Sequence, residues 1–414
     1  MYRIEALLSA RLFLRPERVG DRIFFLSNLS GHNSLYAMNY GGSVPEPLLP
    51  PNIVLQNPHL IGGQSFAVLG KLGRIIVMID RDGDENYLPM MIPVTGGFPE
   101  PAFDNFFENT RCHLGDVDPD LNLCVIAAES REEGMIRTYL CHFDTNEVEE
   151  IAASPYGCYP SATNEDDSRI VLVEGYMVGD TVAYLWGRGK DLQLLYGKPI
   201  TERDPGEEVP LGAFGAGAFV EGGRGLIFDN AIFQDTYGIG YMDLDHPDEI
   251  IEVPFEGLAH EGSGEYEGME ALKNGRYLLQ FNIDGASWAY EAEYDPDVHH
   301  MRALNILTGK GVLSEGVLEA ITYDKGTDSF TLAFSTATSP TQIYTIEGKD
   351  RDRMVRHTNE SILGIPQGLL SAGEDLSFTS YDGLRTSARL YLPSPELGFE
   401  GPRPVIYYVH GDGR

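Results

Sequence analysis

Near the end of the 414-residue chain, the run VIYYV at 405–409 is apolar at every position apart from its tyrosine hydroxyls, and it stops at His410, Gly411, Asp412 and Gly413. A strand apolar on both faces belongs inside a sheet. Where such a strand ends in a glycine-rich turn, backbone N–H groups can converge on a developing oxyanion. His410, Gly411 and Asp412 are therefore candidates for an oxyanion-hole turn, with Asp412 supplying an N–H as any non-proline residue can. The rest of a hydrolytic site is not in the sequence: there is no G-x-S-x-G, no H-E-x-x-H and no Walker loop. The run GAFGAG at 212–217 lacks nucleotide-loop spacing and opens onto strand-like sequence. Asp80, Asp82, Asp84 and Asn86 alternate as calcium ligands do, but the glycine and distal glutamate of a calcium loop are misplaced, so a tight turn is the simpler expectation. At 260–270, HEGSGEYEGME gathers four acids, Glu261, Glu265, Glu267 and Glu270, in what reads as a glycine-rich loop. A solvated acidic loop accounts for it; recognition of a cation is the sharper alternative.

These residues need a frame, and the frame is repetitive. An apolar strand, a Gly/Asp/Asn turn, an aromatic-rich strand and a third short strand recur along the chain. With Arg22, Arg74, Leu121, Arg169, Gly225, Arg276 and Ser329 as markers, the spacings are 52, 47, 48, 56, 51 and 53. A period near fifty with several strands per unit is that of propeller blades, because helical solenoids would show a 3.6-residue rhythm. The expected fold is all-β, a seven-bladed β-propeller over residues 1–365, with strand boundaries leaving six or eight blades open. Residues 366–414 read as a linker and the first strands of another sheet. Tyr381-Asp382-Gly383 separates two alternating runs, which is a hairpin signal.

Composition narrows the class. At 42% hydrophobic and 10% aromatic the chain is globular, and no run is long enough to span a membrane or to form the apolar core of a signal peptide. A cytoplasmic location is the default expectation. Cys112, Cys124, Cys141 and Cys158 show no C-x-x-C spacing and are expected as reduced core thiols, with no metal site. The net charge of −33 argues against nucleic acid and anionic membrane as partners. It serves solubility, and it would also attract cationic ligands. No cofactor is expected, and the oligomeric state is not legible.

The C-terminal run resembles the start of the catalytic domain in the prolyl oligopeptidase family of serine peptidases. There an S-x-D-G-like hairpin leads to P-V-I-x-x-x-H-G-G-P. Here Ser380 to Gly383 and Pro404, Val405, Ile406, His410 and Gly411 match that pattern, while Asp412 replaces the second glycine and Arg414 stands just beyond the expected proline. The run STATSPTQIY at 335–344 is similar to the S-S-P-x-x-I-Y segment that precedes that domain. The resemblance implies an α/β-hydrolase sheet whose Ser, Asp and His would follow the turn in that order, on the order of 200 residues further on. It implies that Asp412 would help to bind the oxyanion and that His410 shapes the turn, the base histidine coming later. Related dipeptidyl peptidases hold a substrate ammonium with propeller glutamates, a role open here to Glu265, Glu267 and Glu270. The chain is accordingly expected to be the substrate-gating propeller of a serine peptidase acting on short peptides, inactive alone because it lacks the triad. The alternative is a non-catalytic propeller that binds a protein or small ligand.

Overall fold

In a blade, each strand turns back on its neighbour through a connection of a few residues, so only antiparallel meanders can form. The computed structural model describes residues 2–59, 63–81, 83–130 and 132–409, and shows seven such sheets followed by a two-stranded hairpin. It is a seven-bladed β-propeller. Blade one is Phe13–Val19, Arg22–Ser27, Ser34–Asn39 and Glu46–Pro47, in that order from the axis outward. Blade six gains a fifth strand, Phe255–Glu256, parallel to His300–Thr308.

The markers that set the fifty-residue period all lie in or just before the second strand of a blade. The innermost strands are Phe13–Val19, Phe66–Leu69, Arg111–Asp118, Tyr159–Thr163, Gly217–Val220, Gly264–Ala271 and Gly316–Asp324. They escape a periodicity search for a physical reason. Five of them carry a register shift, between Leu14 and Glu17, Leu114 and Val117, Pro160 and Ala162, Tyr266 and Gly268, and Leu318 and Ala320. A bulge breaks the two-residue alternation on which strand recognition rests. One consequence is a correction: most of 260–270 is not a loop, because Gly264–Ala271 is the innermost strand of blade six.

Each sheet buries both faces against its neighbours. Every one of the seven apolar clusters lies between one pair of adjacent blades, the last joining Phe13, Ile23, Phe25, Tyr36 and Met38 of blade one to Ile343 of blade seven. The four cysteines are free and buried in these layers, as expected. Burial holds the Cys112 and Cys158 thiols up at about 12, which makes them inert at neutral pH.

The ring closes without a strand shared between first and last blades, so side chains must hold the seam. Arg18 pairs with Glu347 at 2.5 Å and lies over the Tyr40 ring, and Thr322 donates to the Pro16 carbonyl at 2.6 Å. His357 is buried; its Nδ1 accepts the Gly41 N–H at 3.0 Å, which leaves Nε2–H to donate to Thr345 Oγ1 at 3.0 Å. Gly42, at φ +93°, passes so close that a Cβ would stand 2.6 Å from the His357 carbonyl oxygen. Burial first, and then the Arg18 charge, push the His357 pKa down to about 4. The unfolded chain therefore binds a proton between pH 6.5 and 4 that the fold refuses, and this stabilising contribution, complete above pH 6.5, is lost as pH falls to 4. We expect His357→Gln to flatten the acid limb of the stability curve by about 2–3 kcal/mol, checked by urea unfolding at pH 7 and pH 4.5.

Candidate functional site

The seven innermost strands run the same way, which gives the propeller two distinct faces. The blade-to-blade connections and the turns between second and third strands lie on one face, here the entry face. Turns between first and second strands lie on the far face. Both ends of the propeller chain reach the entry face, where the Leu363 N–H donates to Ser9 Oγ at 2.9 Å and the Arg11 N–H to Glu360 Oε1.

The expected hairpin is present as Glu374–Thr379 and Arg385–Leu390, closed by Gly383 N–H to the Ser380 carbonyl at 3.0 Å, with Gly383 at φ +91°. It is tied to the entry face by charge. Arg385 pairs with Asp284 at 2.7 Å, Ser387 Oγ donates to the same carboxylate, and Arg389 reaches Glu315 at 3.2 Å. Asp284 lies in the second turn of blade six and Glu315 immediately before the innermost strand of blade seven. The hairpin's own apolar residues, Leu376 and Phe378, stay exposed. Residues 405–409 form no strand in the described chain and are exposed, contrary to the buried strand expected, because no described strand lies alongside to pair with them. The oxyanion-turn candidates His410, Gly411 and Asp412 lie outside the described residues.

The glutamate candidates are set by the blade-six inner strand. Tyr266 points into the core and donates to Asp229 Oδ1 at 2.6 Å, so Glu265 and Glu267 on either side of it are exposed. The bulge at Gly268 then shifts the phase: Met269 is buried with its N–H on Asp229, and Glu270 is exposed. At about 3.3 Å per residue, Glu265 and Glu270 stand roughly 16 Å apart along the strand. Glu265 and Glu267 lie toward the entry face, beside the Ser263–Asp284 contact that adjoins the hairpin, whereas Glu270 lies toward the far end.

Glu270 belongs to a group that sequence reasoning missed. Its charge neighbours are Arg15 of blade one, Asp116 of blade three and Lys325 of blade seven, so these side chains face one another across the axis. Glu17 joins them, accepting the Val68 N–H from blade two at 3.2 Å. Burial pushes the Glu17 and Glu270 carboxyls up to about 7 and raises Asp116, while the same burial lowers the Arg15 guanidinium. Glu270 and Asp116 nevertheless remain open to solvent, so the group lines an open axial channel walled by protein. Arg15, Glu17 and Asp116 sit at the bulges of their strands, and the only sequence signal was polar residues where a blade strand should be apolar.

Asp80 and Asp84 accept N–H groups of their own turn, from Glu85 and Asn86, which fits a turn role; Asp82 lies outside the described residues. Among the described residues no group of three or more His, Cys, Asp and Glu side chains is placed to hold a metal ion, and no helix is long and apolar enough to cross a membrane.

With this geometry in view, comparison with solved structures is informative. A prolyl endopeptidase, from a study of inter-domain dynamics in two such enzymes, superposes with a TM-score of 0.65 at 12% identity, over 91% of this chain and 54% of that one. The fold is that of the prolyl endopeptidase propeller. A puromycin hydrolase matches with a TM-score of 0.66 at 16% identity, over 94% of this chain and 60% of that one. A puromycin-hydrolyzing peptidase of Mycobacterium tuberculosis matches at 0.63 and 14%, over 92% and 58%. The chain thus spans somewhat over half the length of these structures. No family model and no curated protein matches it.

Proposed function

We propose that this chain is the substrate-gating propeller of a prolyl-oligopeptidase-like serine peptidase acting on short peptides, and that it is inactive by itself. The observation that carries the reading is the state of 405–409: Val405 is 66% exposed, Ile406 93%, Tyr407 86%, Tyr408 89% and Val409 86%. Five consecutive residues of that apolarity, downstream of a hairpin already docked on the entry face, are a strand waiting for sheet neighbours. The likeness to peptidase propellers supports it. In the complete enzyme a serine would attack the peptide carbonyl, and the Asp412 N–H would stabilise the tetrahedral oxyanion. The propeller would cover the site, admit chains narrow enough to reach it and exclude folded proteins. Glu265 and Glu267, near the docked hairpin, are positioned better than Glu270 to hold a substrate amine.

The test has two arms. The coding sequence past Arg414 is expected to supply a G-x-S-x-G, then Asp, then His; a stop codon there would favour a non-catalytic binding propeller. Purified 414-residue chain is expected to leave peptidyl p-nitroanilides untouched while the longer product cleaves them, and turnover by the short chain would overturn the reading.

A further inference from the structure

The far face carries a cleft that the peptidase reading does not use. It has a volume of about 560 Å³ and is walled by the first turns of blades four, five and six and by Tyr294 and Pro296 at the last turn of blade six. All of these turns lie on the side opposite the docked hairpin. Glu165, Asp166 and Glu221 line the cleft together with the rings of Phe219, Tyr277 and Tyr294.

The wall chemistry is specific. Among the described residues Arg169 is its one cation, and it is engaged: it donates to the Gly223 carbonyl at 2.5 Å and lies over the Phe219 ring at 5.0 Å. Glu221 accepts from Tyr241 Oη at 2.8 Å and from Arg224 at 3.1 Å, and Asp166 accepts from Ser168 and Asn164. These hydrogen bonds hold both carboxyls below their usual range, so both are ionised at neutral pH. Glu165 has no partner among the described residues. The Tyr294 hydroxyl is taken by His299 Nδ1 at 2.6 Å. The Tyr277 hydroxyl, by contrast, has no hydrogen-bond partner among the described residues, although the residue is only 5% exposed and its ring belongs to the core between blades five and six. Since Tyr277 lines the cleft, its hydroxyl is the part that faces it.

A free carboxylate, an unpaired hydroxyl on an otherwise buried tyrosine and tyrosine rings in one concavity match one class of ligand. Carboxylates and aromatic faces both attract a cation, and a hydroxyl can accept an ammonium N–H. We propose that this far-face cleft is a binding site for a small organic ammonium ion. Its volume lies within the range of small-molecule sites, and the chain's net charge of −33 raises the local concentration of such ions. The site is independent of the catalytic reading and lies on the face a catalytic partner would leave free.

The test is a ligand-observed NMR titration of the 414-residue chain with n-butylammonium chloride and with 1-butanol, its neutral near-isostere, at constant ionic strength. Saturable binding of the amine is expected, at least about fivefold tighter than the alcohol, with Glu165→Gln and Tyr277→Phe each weakening it about three- to tenfold. Glu100→Gln, on the outer strand of blade two and away from the cleft, is expected to leave binding unchanged. Circular dichroism checks that each variant is folded, and Tyr277→Phe retains the ring that packs in the core. Absence of saturable binding, equal binding of the alcohol, or loss of binding in Glu100→Gln but not in Glu165→Gln would each overturn the proposal.

Discussion

Arg351→Ala is expected to destabilise the chain by about 2–4 kcal/mol, the cost of taking one of two cationic partners and two charge-assisted hydrogen bonds from a buried carboxylate. The side chains of Arg351 and Glu291 are each 1% exposed in the layer between blades six and seven. The guanidinium donates through Nε to Glu291 Oε2 at 2.8 Å, through Nη2 to Glu291 Oε1 at 2.7 Å and to Asp328 Oδ1 at 2.9 Å, and through Nη1 to the Asp328 carbonyl at 2.6 Å. Arg276 contacts the same two carboxylates and Asn305 donates to Glu291, so each Glu291 oxygen has two donors. Removing Arg351 takes two charge-assisted hydrogen bonds from Glu291 where water does not reach and leaves it with Arg276 and Asn305 alone. Urea unfolding should show the midpoint falling at constant slope. The paired replacement Arg351→Met with Glu291→Gln should recover much of the loss, because the buried carboxylate that Arg351 serves is removed with it. A loss under 1 kcal/mol for Arg351→Ala would show that the network contributes no more than a surface ion pair.

Glu17→Gln is expected to act in the opposite direction, stabilising the fold at pH 8 by about 1–3 kcal/mol and leaving it unchanged at pH 4. Burial raises the Glu17 carboxyl to about 7 in the fold against an ordinary 4.5. Between these values the folded chain holds a proton that the unfolded chain has released, so the fold is favoured at low pH and loses that advantage as pH rises through 7. The Val68 N–H and Arg15 moderate the penalty, which sets the lower end of the range. A glutamine keeps the acceptor for the Val68 N–H and removes the charge. Stability measured against pH in both forms checks it; equal curves would mean that Glu17 ionises freely in the channel. This window overlaps that of His357, whose contribution runs the other way, so single variants are needed to resolve either.

How much of this was legible beforehand depended on whether the signal was local. The second strands, such as Arg22–Ser27 and Arg74–Asp80, are buried on both faces by neighbouring blades, and burial writes itself as an apolar run. Their spacing determined the blade period, and the period determined the fold. The hairpin was equally plain, because turn chemistry at Asp382 and Gly383 is decided by adjacent residues. The innermost strands were not legible: Gly264–Ala271 reads as a loop because acids alternate with small residues and a bulge interrupts the rhythm. Glu17, Asp116 and Glu270 come from three blades, with roughly a hundred residues or more between successive members, and nothing local records that they face one another. The same holds for Arg351 and Glu291, sixty residues apart, and for Glu165 and Tyr277 across the far-face cleft. Sequence by itself therefore determined the blades, because each is built from contacts between neighbours in the chain. Closure of the ring decided which charges share the axis and which groups share a cleft, because only closure brings distant turns into one place.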